Sequence, residues 1–249
     1  ATERAIVMLH GFTNCPQQFV DLANEFFDAG FNVLIPRLPR HGLERLAEDL
    51  KDVTAEELLA TADRAIDIAH GLGERVILFG FSMGGLIAGW FAQNRGDIDR
   101  VILVSPGLGM ASVAPALMSV YANGLRWLPN FFRWWDADVR ESREGPQHAY
   151  PRIPSHGIAA LLRLSLALQR QARATRPAVE DILVVTNPCD DTVRNTVTEE
   201  VVFYWRLHGA DIATYCFPQE WALIHDIIDP EQPQRQTERV YPVLRDLIC

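Results

Sequence analysis

Long apolar runs are missing from this sequence. None approaches the ~20 residues that a membrane-spanning helix needs, so no transmembrane segment is expected. Cysteine is scarce and scattered, at Cys15, Cys189, Cys216 and Cys249, with no C-x-x-C pair. That spacing excludes a disulfide scaffold and a cysteine metal site, and it predicts free, mostly buried thiols in a reducing compartment. Basic charge is also in deficit. With 23 Lys and Arg against 32 Asp and Glu the formal net charge is −9, and no basic stripe exists to neutralise phosphates, which argues against a nucleic-acid partner. Internal repeats, low-complexity tracts and a signal-peptide pattern are lacking too. The sequence starts at Ala1 rather than Met, which is compatible with a removed leader; the thiols make a cytoplasmic location the expectation. Oligomeric state is open.

What is present suits a soluble globular protein: 48% hydrophobic and 22% charged residues over 249 positions, enough for one large domain or two small ones with a substantial core. Short apolar runs alternate with longer amphipathic ones. Residues 5–9, 32–36, 75–80, 100–105, 181–186 and 211–217 read as strands, several apolar at every position, as in strands buried on both faces of a parallel sheet. Residues 16–28, 54–70, 83–94, 195–208 and 236–248 read as helices. This alternation predicts an α/β fold with a mainly parallel, doubly wound sheet of about six strands and right-handed crossovers. The rhythm breaks between Ser105 and Asp181, where no convincing strand is seen and Pro115, Pro129, Pro146, Pro151 and Pro154 interrupt any helix. A structureless loop of that length is unsuited to a compact domain. The expected division is therefore a core of residues 1–105 and 181–249 with a helical cap, 106–180, inserted after the strand ending near Ser105.

The apolar run at 77–85 ends in Gly80-Phe81-Ser82-Met83-Gly84, a Gly-x-Ser-x-Gly pattern. Alone it is weak; following a buried strand and opening a helix, it has the setting of a nucleophile elbow, a tight turn that presents a serine hydroxyl. The patterns of a phosphate loop or dinucleotide site, G-x-x-x-x-G-K-[ST] and G-x-G-x-x-G, are absent. A serine needs a base, and the base an orienting acid. Asp190 and Asp191 lie just past one strand and His225 a short loop beyond the last, at the carboxyl ends where α/β sites form.

These motifs resemble the α/β-hydrolase superfamily, above all small bacterial carboxylesterases and the monoacylglycerol-lipase or lysophospholipase-like branch. The resemblance runs from His10-Gly11-Phe12 through residues 37–42 and 80–85 to Asp190-Asp191-Thr192-Val193 and residues 225–230, and is weakest across the insertion. It implies the α/β-hydrolase fold and a catalytic set of Ser82, Asp190 and His225; the family pattern Asp-x-x-Val maps the acid to Asp190, with Val193 as its fourth position, and Asp191 is the competitor. It also implies an oxyanion hole from the backbone N–H groups of Phe12 and Met83, with His10 bracing its loop. Two departures stand out: Arg40-His41-Gly42 replaces the usual Gly-His-Gly, and the two antiparallel strands that often precede the His-Gly-Phe stretch are absent.

The expected activity is hydrolysis of carboxylic esters, either short or medium acyl esters or monoacylglycerols, through an acyl-enzyme on Ser82, with an apolar small-molecule substrate and neither metal nor cofactor. The same residues would serve a thioesterase, an amidase or a carbon–carbon hydrolase. A non-catalytic ligand-binding relative is the alternative from another class. His41, His70, His148, His156 and His208 are expected in surface or capping roles. Trp127, Phe131, Phe132, Trp134 and Trp135 are expected to pack within the cap or contact substrate, and the Leu-rich helix from Gly157 to Ala174 to cover the sheet end or line an apolar tunnel.

Overall fold

A computed structural model describes residues 2–43, 47–135 and 145–249. Among them are eight strands: β1 (Arg4–Leu9), β2 (Phe31–Leu34), β3 (Arg75–Phe81), β4 (Arg100–Val104), β5 (Phe132–Trp134), β6 (Arg152–Pro154), β7 (Asp181–Thr186) and β8 (Ile212–Cys216). Six form one sheet in the order β2-β1-β3-β4-β7-β8, every pairing parallel. The helices are α1 (Val20–Asp28), α2 (Ala55–His70), α3 (Met83–Asn94), α4 (Met118–Trp127), α5 (Ser155–Ala174), α6 (Asn195–Leu207) and α7 (Thr237–Ile248). None is long and apolar enough to cross a membrane.

The uninterrupted apolar strands have a direct cause. Side chains alternate across a strand, and here both faces are covered. Ala5, Val7, Leu9, Val76, Leu78, Val101 and Leu103 join Leu58, Ile66, Leu86, Ile87, Val201 and Trp205 from α2, α3 and α6 in one buried cluster. Ile6, Met8, Ile77, Phe79, Ile102 and Val104 join Phe19, Leu22, Phe26, Val240, Leu244 and Ile248 in another, around α1 and α7. Each fully buried Leu, Ile or Phe stabilises by about 1.5–3 kcal/mol, so neither face tolerates a polar register.

The insertion differs from the sequence expectation in two respects. It contains an antiparallel ladder, Phe132↔Pro154 to Trp134↔Arg152. Strands of three residues are too short for alternation to show, and proline, which reads as a helix breaker, is tolerated at a ladder edge. The Leu-rich helix α5 also does more than cover an end. Leu161, Leu162, Leu164 and Leu168 belong to the same buried cluster as the sheet, and α5 packs against α3, α4 and α6. Its broad apolar circumference reflects those neighbours. By contrast Trp127 is 88% exposed, and Phe131 and Trp135 are exposed as well, so these three rings form no buried core of the insertion. The thiols are free but not buried: Cys216 and Cys249 are exposed, Cys15 and Cys189 half-buried.

The depth of α5 in the core sets a testable cost. Leu168 is fully buried, with its Cδ2 and that of Leu103 both crowding the place where a side chain at Gly89 would begin. Leu168→Ala is expected to cost about 2–5 kcal/mol and lower the melting temperature by roughly 5–15 °C. Phe27→Ala, at an exposed position, should change stability by less than about 0.5 kcal/mol. Circular dichroism melts check both, and equal melting of Leu168→Ala and wild type would remove α5 from the core.

Candidate active site

Ser82 links β3 to α3 with φ 53° and ψ −112°, a backbone region that costs a non-glycine residue about 1–3 kcal/mol. The surroundings enforce it. Ser82 N–H donates to the Val104 carbonyl at 3.0 Å, while the Ser82 carbonyl accepts from Leu86 and Gly107 at 3.0 and 2.8 Å. The glycines are dictated by space: a Cβ at Gly80 would collide with the Gly84 peptide, one at Gly84 with the Leu9 carbonyl, and one at Gly85 would lie 2.9 Å from Pro106 Cα. Helix α3 therefore approaches β1 and β4 closely enough to leave room only for hydrogen, and the serine is the residue lifted out of the turn.

His225 Nε2 lies 2.9 Å from Ser82 Oγ, and its Nδ1 lies 2.7 Å from Asp190 Oδ2. With Nδ1–H donating to the carboxylate, Nε2 is left as the acceptor for the serine hydroxyl. The other Asp190 oxygen accepts from the Thr192 and Val193 amides at 3.0 and 2.9 Å, which fixes the carboxylate; its side chain is fully buried. Asp191 is exposed, and its Oδ1 accepts from Thr192 Oγ1 at 3.2 Å. The structure thus brings Asp190, not Asp191, against the imidazole. Burial pulls the His225 pKa down, but the charge and hydrogen bond of Asp190, with Asp226 and Asp191 behind it, outweigh burial and hold it above 6.5.

The acid and histidine loops are joined by a residue the sequence did not single out. Asn187 Nδ2 donates to the Leu223 and Ile224 carbonyls, both at 2.9 Å, just before His225. No local pattern marks such a pairing; position at a strand end was the one available signal. The same holds for Asn14, Gln18, Asp226 and Asp229, which bond across more than 200 residues of sequence.

Phe12 and Met83 flank the serine from two directions. Met83 is the first residue of α3, whose leading amides have no intrahelical acceptor, and among the described residues neither the Phe12 nor the Met83 N–H donates to a protein acceptor. The Phe12 loop is braced by His10, fully buried, whose Nε2 accepts from the Leu38 amide at 3.2 Å and whose Nδ1 donates to the Gly11 carbonyl at 2.9 Å. His41, for which the sequence suggested a surface or capping role, is not at the surface. It is fully buried, edge-on to His10 and Phe12 with centroids 5.0 and 5.6 Å away, and burial lowers its pKa to about 4. Its neighbour Arg40 holds φ 65°, a left-handed conformation suited to glycine, at the position where the family's usual Gly-His-Gly has its first glycine. The Arg40–Glu57 ion pair at 2.7 Å anchors it. A surface groove of about 230 Å³ beside Lys51, Arg126, His156 and Arg163 includes none of the site residues.

A parallel sheet carrying a strained serine after β3, a buried aspartate after β7 and a histidine after β8 is the arrangement of the Alpha/beta hydrolase family. Residues 6–225 match the model of that family, and the chain belongs to it. It is 23% identical over 198 residues, 80% of this chain and 74% of the relative, to the thermostable monoacylglycerol lipase of Bacillus sp. (strain H-257). In fold it is similar to a structure of the metagenome-derived lipolytic enzymes LipS and LipT, with a TM-score of 0.75 and 20% identity over 99% of this chain and 94% of that one. The monoacylglycerol lipase of Paleococcus ferrophilus gives a TM-score of 0.72 and 20% identity over 98% and 93%.

The electrostatics make a prediction independent of any substrate. The His225 ring should titrate above pH 6.5, and Asp190→Asn should lower that midpoint more than Asp191→Asn, because the first removes both contact and charge. Histidine side-chain NMR reads both, and the reverse ranking would detach Asp190 from the imidazole.

Proposed function

We propose that the protein is a serine hydrolase of carboxylic esters. The observation that carries this reading is the hydrogen-bonded chain from Ser82 Oγ through His225 to Asp190, set beside two amides with no protein acceptor among the described residues. Ser82 Oγ attacks the ester carbonyl as His225 Nε2 takes its proton. The Phe12 and Met83 N–H groups hold the oxygen on which negative charge develops, and His225 then returns the proton to the departing alcohol. Asp190 keeps the imidazole in the required tautomer and stabilises the imidazolium. Water, activated by the same histidine, releases the acid and restores Ser82.

For the substrate we favour monoacylglycerols or esters of short to medium acyl chains, and residues 106–180 act as the cap that selects among them. Met83, next to the serine, shares a buried apolar cluster with Leu108, Val113 and Met118 and with Leu161 and Leu164 of α5, which supports an apolar acyl site. The cap is tied to the acid loop: Met110 bridges to Val193, and the Arg194 guanidinium donates to the Met110, Ala111 and Val113 carbonyls. The curated relative is a monoacylglycerol lipase, which agrees with this choice. Four unbridged thiols, two of them exposed, support a reducing, cytoplasmic setting.

Hydrolysis of p-nitrophenyl esters from acetyl to palmitoyl tests the reading, with fluorophosphonate labelling located by mass spectrometry. Ser82→Ala should lose at least about 10⁴-fold in kcat and all label while keeping its circular dichroism spectrum. Full activity in that variant would end the assignment. Label without ester turnover would redirect it to thioesters, amides or carbon–carbon bonds. Because protonated His225 cannot accept the serine proton, kcat/KM should fall as pH drops through a midpoint above 6.5.

A further inference from the structure

The loops that carry Phe12 and His225 meet the insertion at a buried acidic pair. Asp226 and Asp229 follow His225 and are 5% and 0% exposed. Asp226 Oδ2 accepts from Gln18 Nε2 at 2.9 Å, Gln232 Nε2 at 3.0 Å and Asn14 Nδ2 at 3.5 Å, and its Oδ1 accepts from the Ile228 and Asp229 amides. Asp229 Oδ2 accepts from Asn14 Nδ2 at 3.1 Å and His148 Nε2 at 2.8 Å, while its Oδ1 accepts from the Glu231 amide. Gln18 Oε1 in turn accepts from the Gly11 N–H at 2.9 Å, one peptide before Phe12. A single chain of hydrogen bonds thus runs His148–Asp229–Asn14–Asp226–Gln18–Gly11. Among the described residues, every group bonded to the two carboxylates is a neutral amide except His148. Amides supply dipoles but no net charge, and two carboxylates sharing one amide repel.

We propose that His148, in the segment before β6, is a positioning residue: as an imidazolium it neutralises the Asp226–Asp229 pair and thereby holds the Gly11–Asn14 loop with the Phe12 N–H aimed at the developing oxyanion. This rests on the serine-hydrolase reading above. Burial draws the His148 pKa down, but the hydrogen bond and charge of Asp229, then Glu231 and Asp226, prevail and raise it above 6.5. The Asp226 carboxyl is itself pushed up by burial and by Asp229. Among the described residues, the other titratable groups that interact with this cluster are His225, whose charge acts on Asp226, and two groups uncharged at neutrality, Cys15 on the Phe12 loop and Tyr241 on α7. The latter two are pushed up by burial, with the nearby carboxylates adding to the shift, so they stay neutral at physiological pH and contribute no compensating charge. Glu231 lies 3.5 Å from His148 Nδ1 with its side chain 48% exposed, so solvent screens it.

The sign follows. A histidine whose pKa is raised by folding contributes fully below pH 6.5 and loses that contribution as pH climbs through the raised value. His225 acts in the opposite sense, since it must be neutral to accept the serine proton. The kcat profile should therefore carry an alkaline limb that Ser82, His225 and Asp190 do not explain. The segment does not depend on His148 alone for docking: the Tyr150 amide donates to the Thr13 carbonyl at 2.7 Å, and its hydroxyl accepts from the Leu43 amide at 2.8 Å. His148→Gln, which keeps a donor without charge, is accordingly expected to fold.

The experiment is kcat and KM for a p-nitrophenyl ester from about pH 6 to about pH 10, with fluorophosphonate labelling of Ser82, for wild type, His148→Gln and His148→Lys. His148→Gln should lose roughly ten- to a hundredfold in kcat near neutrality, with little change in KM and no alkaline limb. His148→Lys, charged up to about pH 10, should recover most of kcat and carry the limb upward. A purely structural role would lower the melting temperature without moving the limb. Wild-type kcat and an unmoved limb in His148→Gln, or identical behaviour of the two variants, overturns the proposal. If His148→Gln does not fold, a wild-type kcat that stays level to the alkaline end overturns it by itself. A wild type that neither labels nor turns over refutes the reading of the site and this inference with it; one that does both, with His148→Gln unchanged, refutes this inference alone.

Discussion

The approach of helix α3 to strands β1 and β4 is the constraint from which the site follows. Where a Cβ at Gly84 would collide with the Leu9 carbonyl and one at Gly85 would press on Pro106, the helix has to begin abruptly. Ser82 is then the residue that absorbs the change of direction at positive φ. The strain does not relax, because its amide and carbonyl are each bonded to backbone on the neighbouring segments. A hydroxyl fixed in that way requires no ordering when a substrate arrives, so the entropic cost of alignment is met during folding instead.

Around that fixed point the structure gathers loops rather than helices. The acid comes from the end of β7, the histidine from the segment after β8, and the Phe12 amide from the end of β1. Side-chain amides hold these pieces in register: Asn187 spans from the acid loop to the histidine loop, and Gln18 with Asn14 spans from the Phe12 loop to Asp226 and Asp229. Carboxamides suit this use because one group both donates and accepts. The exposed side of the site carries little of this bonding, and Asp191, beside the buried Asp190, is left to solvent.

Much of the fold was legible for a simple reason. A strand covered on both faces, such as Ala5–Leu9, must be apolar at every position, and the sequence shows this directly. The elbow was legible because steric exclusion leaves glycine as the only residue at several close positions. The amide network was not, because Asn14 and Asp229 acquire meaning only from a contact across 215 positions, and no local period encodes that. The burial of His41 was not legible, since a lone histidine has no pattern to betray it. The ladder of β5 and β6 was hidden by its length, and the exposure of Trp127 by the ordinary presumption that tryptophan is buried.

The depth of α5 in the core bears on how this protein could be reshaped. Its leucines complete the packing over α3, so residues 106–180 are not a detachable module in the architectural sense. Exchanging the whole stretch for that of a relative would remove the helix that packs on α3, α4 and α6, and with it the leucines buried in one cluster with Leu86, Ile87 and Leu103. The turn from the end of α4 to β5 is different, with Trp127, Leu128 and Phe131 open to solvent. Sequence there can drift or lengthen at small cost to the scaffold, unlike at His148 and Tyr150 further on, which are bonded to Asp229 and Thr13.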